Sequence, residues 1–266
     1  MNCPFCYIPF NKEKPDYQKT LQLVDKCANL GVKIITIGGG DPFNYPYIFE
    51  LVKYIKKASI KVHIDSNILT LKNKDLIHLS NSIDLLGIPI DGSNELLHNS
   101  MRVSNNHFNK IIKTLDNISL NNEIPIKINT LLSQINKHDM GNILDLISRS
   151  KANIKIWSIY QFWPLDNAIN SKELYEISEE LFLDICNKLP KIGLKFRIEI
   201  NPFNQRYGKY LFSSPNGELY IHNPLDINNY LFIGSIFEKD WINNLEKYNF
   251  QTTLRQSVST RYISNK

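Results

Sequence analysis

The sequence predicts an α/β fold of parallel βα units, on three observations. Short β-branched runs alternate along the chain with segments whose apolar residues recur at helical spacing. At 266 residues the chain suits one large unit, since α/β barrels reach this size without splitting. Its 42% apolar content is ample for a core, and no internal repeat or low-complexity linker interrupts it.

The first helix runs from about Asp16 to Leu30, with Leu21, Val24, Cys27 and Ala28 on one face, and stops at Gly31. Strands follow at Lys33–Ile37, Lys61–Ile64, Leu85–Ile90, Ile124–Leu131 and Ile154–Ile159. Helical stretches lie between them near Pro46–Lys57, Lys74–Leu79, Asn106–Asn117 and Met140–Arg149. Beyond Ile159 the alternation weakens. Ser171–Leu189 reads as one amphipathic helix, opened by Ser171 with acids in its early turns. Lys195–Ile200, Tyr210–Phe212 and Glu218–Ile221, with the turn Pro215-Asn216-Gly217, predict a hairpin extension over the open end of the sheet. A short helix around Trp241–Tyr248 closes the domain.

Composition narrows the function classes. Thirty-one Lys+Arg against 26 Asp+Glu leave +5. The basic residues are scattered (Lys12/Lys14, Lys56/Lys57, Lys72/Lys74), which describes a solvated surface rather than a nucleic-acid face. Four cysteines in a chain this long make no disulfide framework. Cys27 and Cys186 fall in helical patterns, as small core residues do. No 18-residue apolar stretch and no signal peptide are found, so a cytoplasmic location is expected, with no membrane partner. The six histidines show no metal-ligand spacing.

Three motifs carry the chemistry. Cys3-Pro4-Phe5-Cys6 is a C-x-x-C, which can hold zinc, form a redox pair or do neither. Ile34-Ile35-Thr36-Ile37 ends in Gly38-Gly39-Gly40-Asp41-Pro42, where glycines let a ligand approach the backbone. Ile88-Pro89-Ile90-Asp91-Gly92-Ser93 is followed by His98 and by Met101-Arg102.

In order and spacing these motifs resemble the radical S-adenosylmethionine (SAM) superfamily, from Cys3 to Trp163. Cys3, Phe5 and Cys6 match the second half of its C-x-x-x-C-x-Φ-C loop, and Gly39-Gly40-Asp41 its GGE segment with Asp for Glu. The resemblance implies a partial (βα)6 barrel in residues 1–165, its first strand missing, and an α+β extension in 166–266 within the same structural unit. It also implies a first strand and a first cysteine upstream of Met1. The implied cofactors are a [4Fe–4S] cluster, with Cys3 and Cys6 as ligands, and SAM. The cluster's electron would cleave SAM to a 5′-deoxyadenosyl radical that abstracts hydrogen from a peptide or a nucleotide, with flavodoxin or ferredoxin as reductant. The implied cofactor-binding residues are Phe5, Gly39, Gly40, Asp41, Ser66, Asn67, Ser93, Arg102 and Asn129. Asp41 would accept from the SAM ammonium, Ser93 would face the ribose or carboxylate, and Arg102 would offer planar donors to a carboxylate. Tyr7 and Gln161-Phe162-Trp163 would add an aromatic wall or be loop core. Two other readings stand beside this one: a degenerate, non-catalytic binding or partner protein of the same fold, and zinc held by Cys3 and Cys6 with histidines.

Overall fold

The computed structural model describes residues 1, 3–8, 15–80, 82–121, 124–207 and 209–248. Six parallel strands form one sheet in chain order: β1 (Ile34–Ile37), β2 (Lys61–Asp65), β3 (Leu85–Pro89), β4 (Ile126–Leu132), β5 (Ile154–Gln161) and β6 (Arg197–Asn201). Sequential order with a crossover between every pair is the topology of a (βα) barrel wall.

Alternation along each strand separates two faces. Ile35 and Ile37, Val62 and Ile64, Leu86 and Ile88, Ile126 and Ile128, Trp157 and Ile159, and Ile198 and Ile200 point outward into one apolar core. Helices α1 (Tyr17–Asn29), α2 (Ile48–Lys57), α3 (Asn73–Ser80), α5 (His107–Asn121), α6 (Met140–Arg149) and α8 (Glu179–Asn187) cover that face. The inner face is different. Thr36, His63, Asp65, Gly87, Lys127, Asn129, Ser158 and Glu199 lie across it in register, so the strands present polar groups inward.

Two sequence expectations are corrected, and two elements that the sequence pattern did not predict are added. Lys195–Ile200 was expected in the hairpin; instead β6 pairs in parallel with β5, because Ile198 and Ile200 extend the outward apolar row. The small antiparallel sheet consists of β7 (Leu211–Ser213), β8 (Glu218–His222) and β9 (Tyr230–Ser235). Its last strand had no sequence expectation. The single helix over Ser171–Leu189 is broken into α7 (Lys172–Tyr175) and α8, since the Ser178 hydroxyl accepts from Leu181 N–H and starts a new helix. Glu95–Arg102, to which the sequence pattern assigned no element, is helix α4, capped by Asn94, whose side chain accepts from Leu97 N–H at 3.0 Å.

The small sheet buries Leu219, Ile221 and Ile233 against Leu23 and Cys27 of α1 and against Trp241 and Leu245 of α10 (Trp241–Lys247). The extension therefore packs on the helix preceding β1. Between β6 and β7 a single short helix, α9 (Phe203–Arg206), leads the chain back over the strand ends.

Candidate active site

The loops after β1, β3 and β5 meet the cysteine turn at the C-terminal ends of the strands, the end where α/β barrels carry function. Cys6 N–H donates to Cys3 O at 3.0 Å, closing the turn that carries both thiols. Burial pushes both thiols above the ordinary range, and the Arg102 guanidinium acts in the opposite direction on each.

Arg102 ends α4 and is fixed from two sides. Its Nε donates to Asp91 Oδ2 at 2.6 Å, and its guanidinium stands 5.2 Å from the Phe5 ring centroid. Asp91 is fully buried; its Oδ1 accepts from Leu131 N–H at 2.8 Å, and its carbonyl from the Asn136 amide at 2.9 Å. Phe5 meets Tyr175 edge-on at 5.4 Å, and the Tyr175 hydroxyl donates to Met101 O at 3.2 Å. Directly after Arg102, Val103 caps α4 at φ 49°, a left-handed conformation that a β-branched residue rarely adopts.

A histidine chain runs behind this pair. Asp91 N–H donates to His98 Nδ1 at 3.1 Å, His98 Nε2 faces His107 Nδ1 at 2.9 Å, and His107 Nε2 faces Asn67 O at 2.7 Å. A backbone donor at one end and a carbonyl at the other fix both tautomers: each ring is neutral, with its proton on Nε2. Burial pulls His98 down to about 2 and His107 to about 4. The chain thus ties the loop after β2 to the loop after β3.

At the end of β1, Gly39 (φ 78°) and Gly40 (φ 53°) take left-handed conformations. A Cβ on Gly39 would stand 3.1 Å from Ile8 of the cysteine loop. Asp41 accepts from the Ser66 hydroxyl at 2.6 Å, the Thr70 hydroxyl at 2.9 Å and Phe43 N–H at 3.3 Å, so its carboxylate braces the loop after β2. Ser66 also accepts from Ile68 N–H at 2.8 Å, and Asn67 Oδ1 from Leu69 N–H at 2.9 Å. Ser93 donates from both its N–H (2.6 Å) and its hydroxyl (2.8 Å) to the Asp139 carboxylate, leaving its oxygen lone pairs to accept.

The inner face forms a polar floor below these loops. Asp65 Oδ1 accepts from Asn129 Nδ2 at 2.7 Å, lies 3.1 Å from His63 Nε2, and is 4.0 Å from Lys127 Nζ. Burial raises the Asp65 carboxyl, but His63, Lys127 and Asn129 together outweigh it and hold the group well below the usual range. Lys127 is 2% exposed. Asn129 Oδ1 is buried and has no partner among the described residues. Gly87 lies directly beneath: a Cβ there would fall 1.8 Å from Asp65 Oδ1. Above the floor, Tyr7 packs on Trp163 at 5.2 Å, and Tyr7 O accepts from the Tyr230 hydroxyl at 2.7 Å. Gln161 is committed internally, donating to Ile177 O at 3.0 Å and accepting from Phe203 N–H at 2.7 Å.

The structure gathers Cys3, Phe5, Cys6 and Arg102 into one contact set and Asp41 with Ser66 into another, and places Asn129 in the floor. The sequence reading passed over Asp65, His63, Lys127, Tyr175 and Arg206. The one available signal was the polar–apolar alternation of Lys61–Asp65 and Lys127–Asn129 within strands.

The family model for the radical SAM superfamily matches residues 1–147, and the chain belongs to that superfamily. It is a radical SAM enzyme, and the cofactors of the family are a [4Fe–4S] cluster and SAM. Among curated proteins it is similar to an S-adenosylmethionine-dependent nucleotide dehydratase of Psychrobacter lutiphocae, 26% identical over 91% of this chain and 79% of the relative. A protein of the same name from Flammeovirga pacifica is 25% identical over 80% of this chain and 81% of its own. Among solved structures, Streptococcus suis SuiB bound to S-adenosylmethionine superposes with a TM-score of 0.69 at 14% identity, over 96% of this chain and 64% of that one. That likeness concerns the fold. Among the described residues no helix is long and apolar enough to cross a membrane.

The donor set fits the family cofactor in kind. Thiolates suit iron–sulfur centres, and Cys3 and Cys6 present two of them from one turn beside a buried cation. No group of three His, Cys, Asp or Glu side chains suited to a metal ion occurs among the described residues.

Proposed function

We propose that this enzyme abstracts a hydrogen atom from a nucleotide. The observation that carries the reading is a similarity to nucleotide dehydratases that extends past the motif region over 91% of the chain. The inner floor supports it: a buried ammonium (Lys127) and an unpartnered amide oxygen (Asn129) suit a polar substrate.

In this reading Cys3 and Cys6 hold the cluster, which when bound supplies the electron that cleaves SAM. Arg102, pinned by Asp91 and Phe5, offers its remaining N–H groups to the SAM carboxylate and offsets thiolate charge. Gly39 and Gly40 leave the β1 end open to the methionine moiety. Asp41, Ser66 and Asn67 hold the neighbouring loop in shape, and Asp41 retains lone pairs for the SAM ammonium. Ser93 accepts from a ribose hydroxyl. Asp65, His63, Lys127 and Asn129 orient the nucleotide, while Tyr7 and Trp163 exclude water above it. Flavodoxin or ferredoxin is the reductant, and the cytoplasm the location.

The test is anaerobic turnover of the reconstituted enzyme with SAM and a strong reductant, against panels of nucleoside triphosphates and of peptides. At least one nucleotide is expected to raise 5′-deoxyadenosine formation tenfold or more above the substrate-free rate. Stimulation by peptides alone, or by neither panel, would overturn the nucleotide reading.

A further inference from the structure

Arg206, the last residue of α9, is 5% exposed and sits over the ends of the inner strands. Its guanidinium is sandwiched between Tyr160, 5.4 Å from the ring centroid, and Trp163, 4.8 Å away. One Nη2–H donates to Gln161 O, and Nε has no partner among the described residues. No ion pair with a described carboxylate reaches it, whereas Arg102 faces Asp91, Lys127 faces Asp65 and Arg197 faces Glu199.

A buried cation without a counterion is costly, and burial accordingly pulls Arg206 below the ordinary arginine range. Only the phenols of Tyr7, Tyr210 and Tyr160 act against that pull. Lys127 Nζ lies 5.4 Å from the centroid of the same Tyr160 ring, so two cations share one aromatic plate. Against them stands the Asp65 carboxylate, itself divided among Lys127, His63 and Asn129. A purely structural plug would account for the aromatic sandwich. It would not account for the unused Nε donor, or for a buried guanidinium with no carboxylate partner among the described residues.

We propose that Arg206, with Lys127 across Tyr160, forms an oxyanion site that receives a phosphate group of the substrate. The free edge of the guanidinium presents two parallel N–H groups, a fork that matches two oxygens of one phosphate. Lys127 supplies a second positive charge, which favours a doubly charged phosphate over a single carboxylate. Tyr7 and Trp163 place the site beneath the cysteine loop, so a phosphate held here fixes the rest of the molecule relative to the reacting centre. The choice of phosphate rests on the nucleotide reading; the anion site itself does not.

The test is isothermal titration of the reconstituted full chain at physiological salt. Wild type, R206K and R206Q are titrated with ATP and adenosine, CTP and cytidine, inorganic tripolyphosphate, and SAM. R206Q is expected to weaken triphosphates and tripolyphosphate by about 10- to 100-fold, with nucleosides and SAM unchanged and R206K intermediate. If near-UV circular dichroism shows that R206Q does not fold, R206K alone decides, through a several-fold loss confined to the phosphorylated probes. Equal losses for nucleoside and triphosphate, a loss for SAM, a change under twofold for tripolyphosphate, or no binding of any phosphorylated probe to wild type would each overturn the assignment. Arg206-dependent binding of tripolyphosphate without binding of any nucleotide would uphold the anion site and sink the nucleotide reading.

Discussion

Replacing Gly87 by alanine tests whether the inner floor is a built network or a loose set of polar side chains. A Cβ at this position would stand 1.8 Å from Asp65 Oδ1, 3.0 Å from Asp65 Cγ and 2.8 Å from Asn129 Nδ2. The first distance is about 1.5 Å short of ordinary contact, so the carboxylate must swing away. Strand pairing holds the backbone, because Gly87 is registered between Asp65 and Lys127. The swing breaks the 2.7 Å bond from Asn129 and the 3.1 Å contact with His63. Hydrogen bonds to a charged group are worth about 1.5–3 kcal/mol each, and Asp65 is over a third exposed and recovers part of that from water. The expected loss is therefore about 2–3 kcal/mol, or about 4–6 °C in Tm for a chain of this size. Urea denaturation of Gly87→Ala, Asp65→Ala and the double variant measures it as a cycle. In the Asp65→Ala background the added methyl should be milder by at least about 1 kcal/mol. Additive effects in that cycle, or a single variant within about 0.5 kcal/mol of wild type, would refute the reasoning.

Two further predictions concern the loops around Arg102. His98 and His107 are held neutral below their unfolded pKa of about 6.5, so the unfolded chain binds protons that the native one refuses. Stability is present in full above about pH 6.5 and falls as pH drops toward 4, by up to about 1.4 kcal/mol per pH unit for each ring. A His98→Asn/His107→Asn variant should show a shallower fall across that window by chemical denaturation; parallel curves would contradict the assignment. Val103→Gly should raise stability by about 1 kcal/mol, since it relieves a left-handed φ of 49° at an exposed position. A loss in thermal melting would show that the valine side chain contributes more than the strain removes.

The parallel strands were legible because each is a short β-branched run bounded by turn residues, and the helices because their buried faces recur at helical spacing. Helix α4 was not, since Glu95–Arg102 mixes His98, Asn99 and Arg102 with its apolar residues, and the Asn94 cap was overlooked. Strand β6 was misassigned because its partner β5 lies across a long connection, and local pattern carries no information about which sheet a strand joins. At the site, Cys3, Phe5, Cys6 and Arg102 could be read because their chemistry follows one another at short spacing. Asp65 and Asn129 are 64 residues apart and meet only over the missing side chain of Gly87. Arg206 gives no sequence signal at all: its neighbours Tyr160 and Trp163 belong to another strand end. The histidines were set aside for want of metal spacing, and the structure uses His98 and His107 as a hydrogen-bonded pair instead.

The Tyr230 hydroxyl grips the carbonyl of Tyr7 across 223 residues of sequence. A ribosome working at about 5–20 residues per second takes roughly 10–45 s to make the intervening chain. During that interval the cysteine turn has emerged, but the sheet that clamps its far side does not yet exist. The thiols therefore spend their first moments without that restraint, open to oxidation and to the wrong metal. Loading of the iron–sulfur cluster is best timed to follow the synthesis of β9, which closes over the loop.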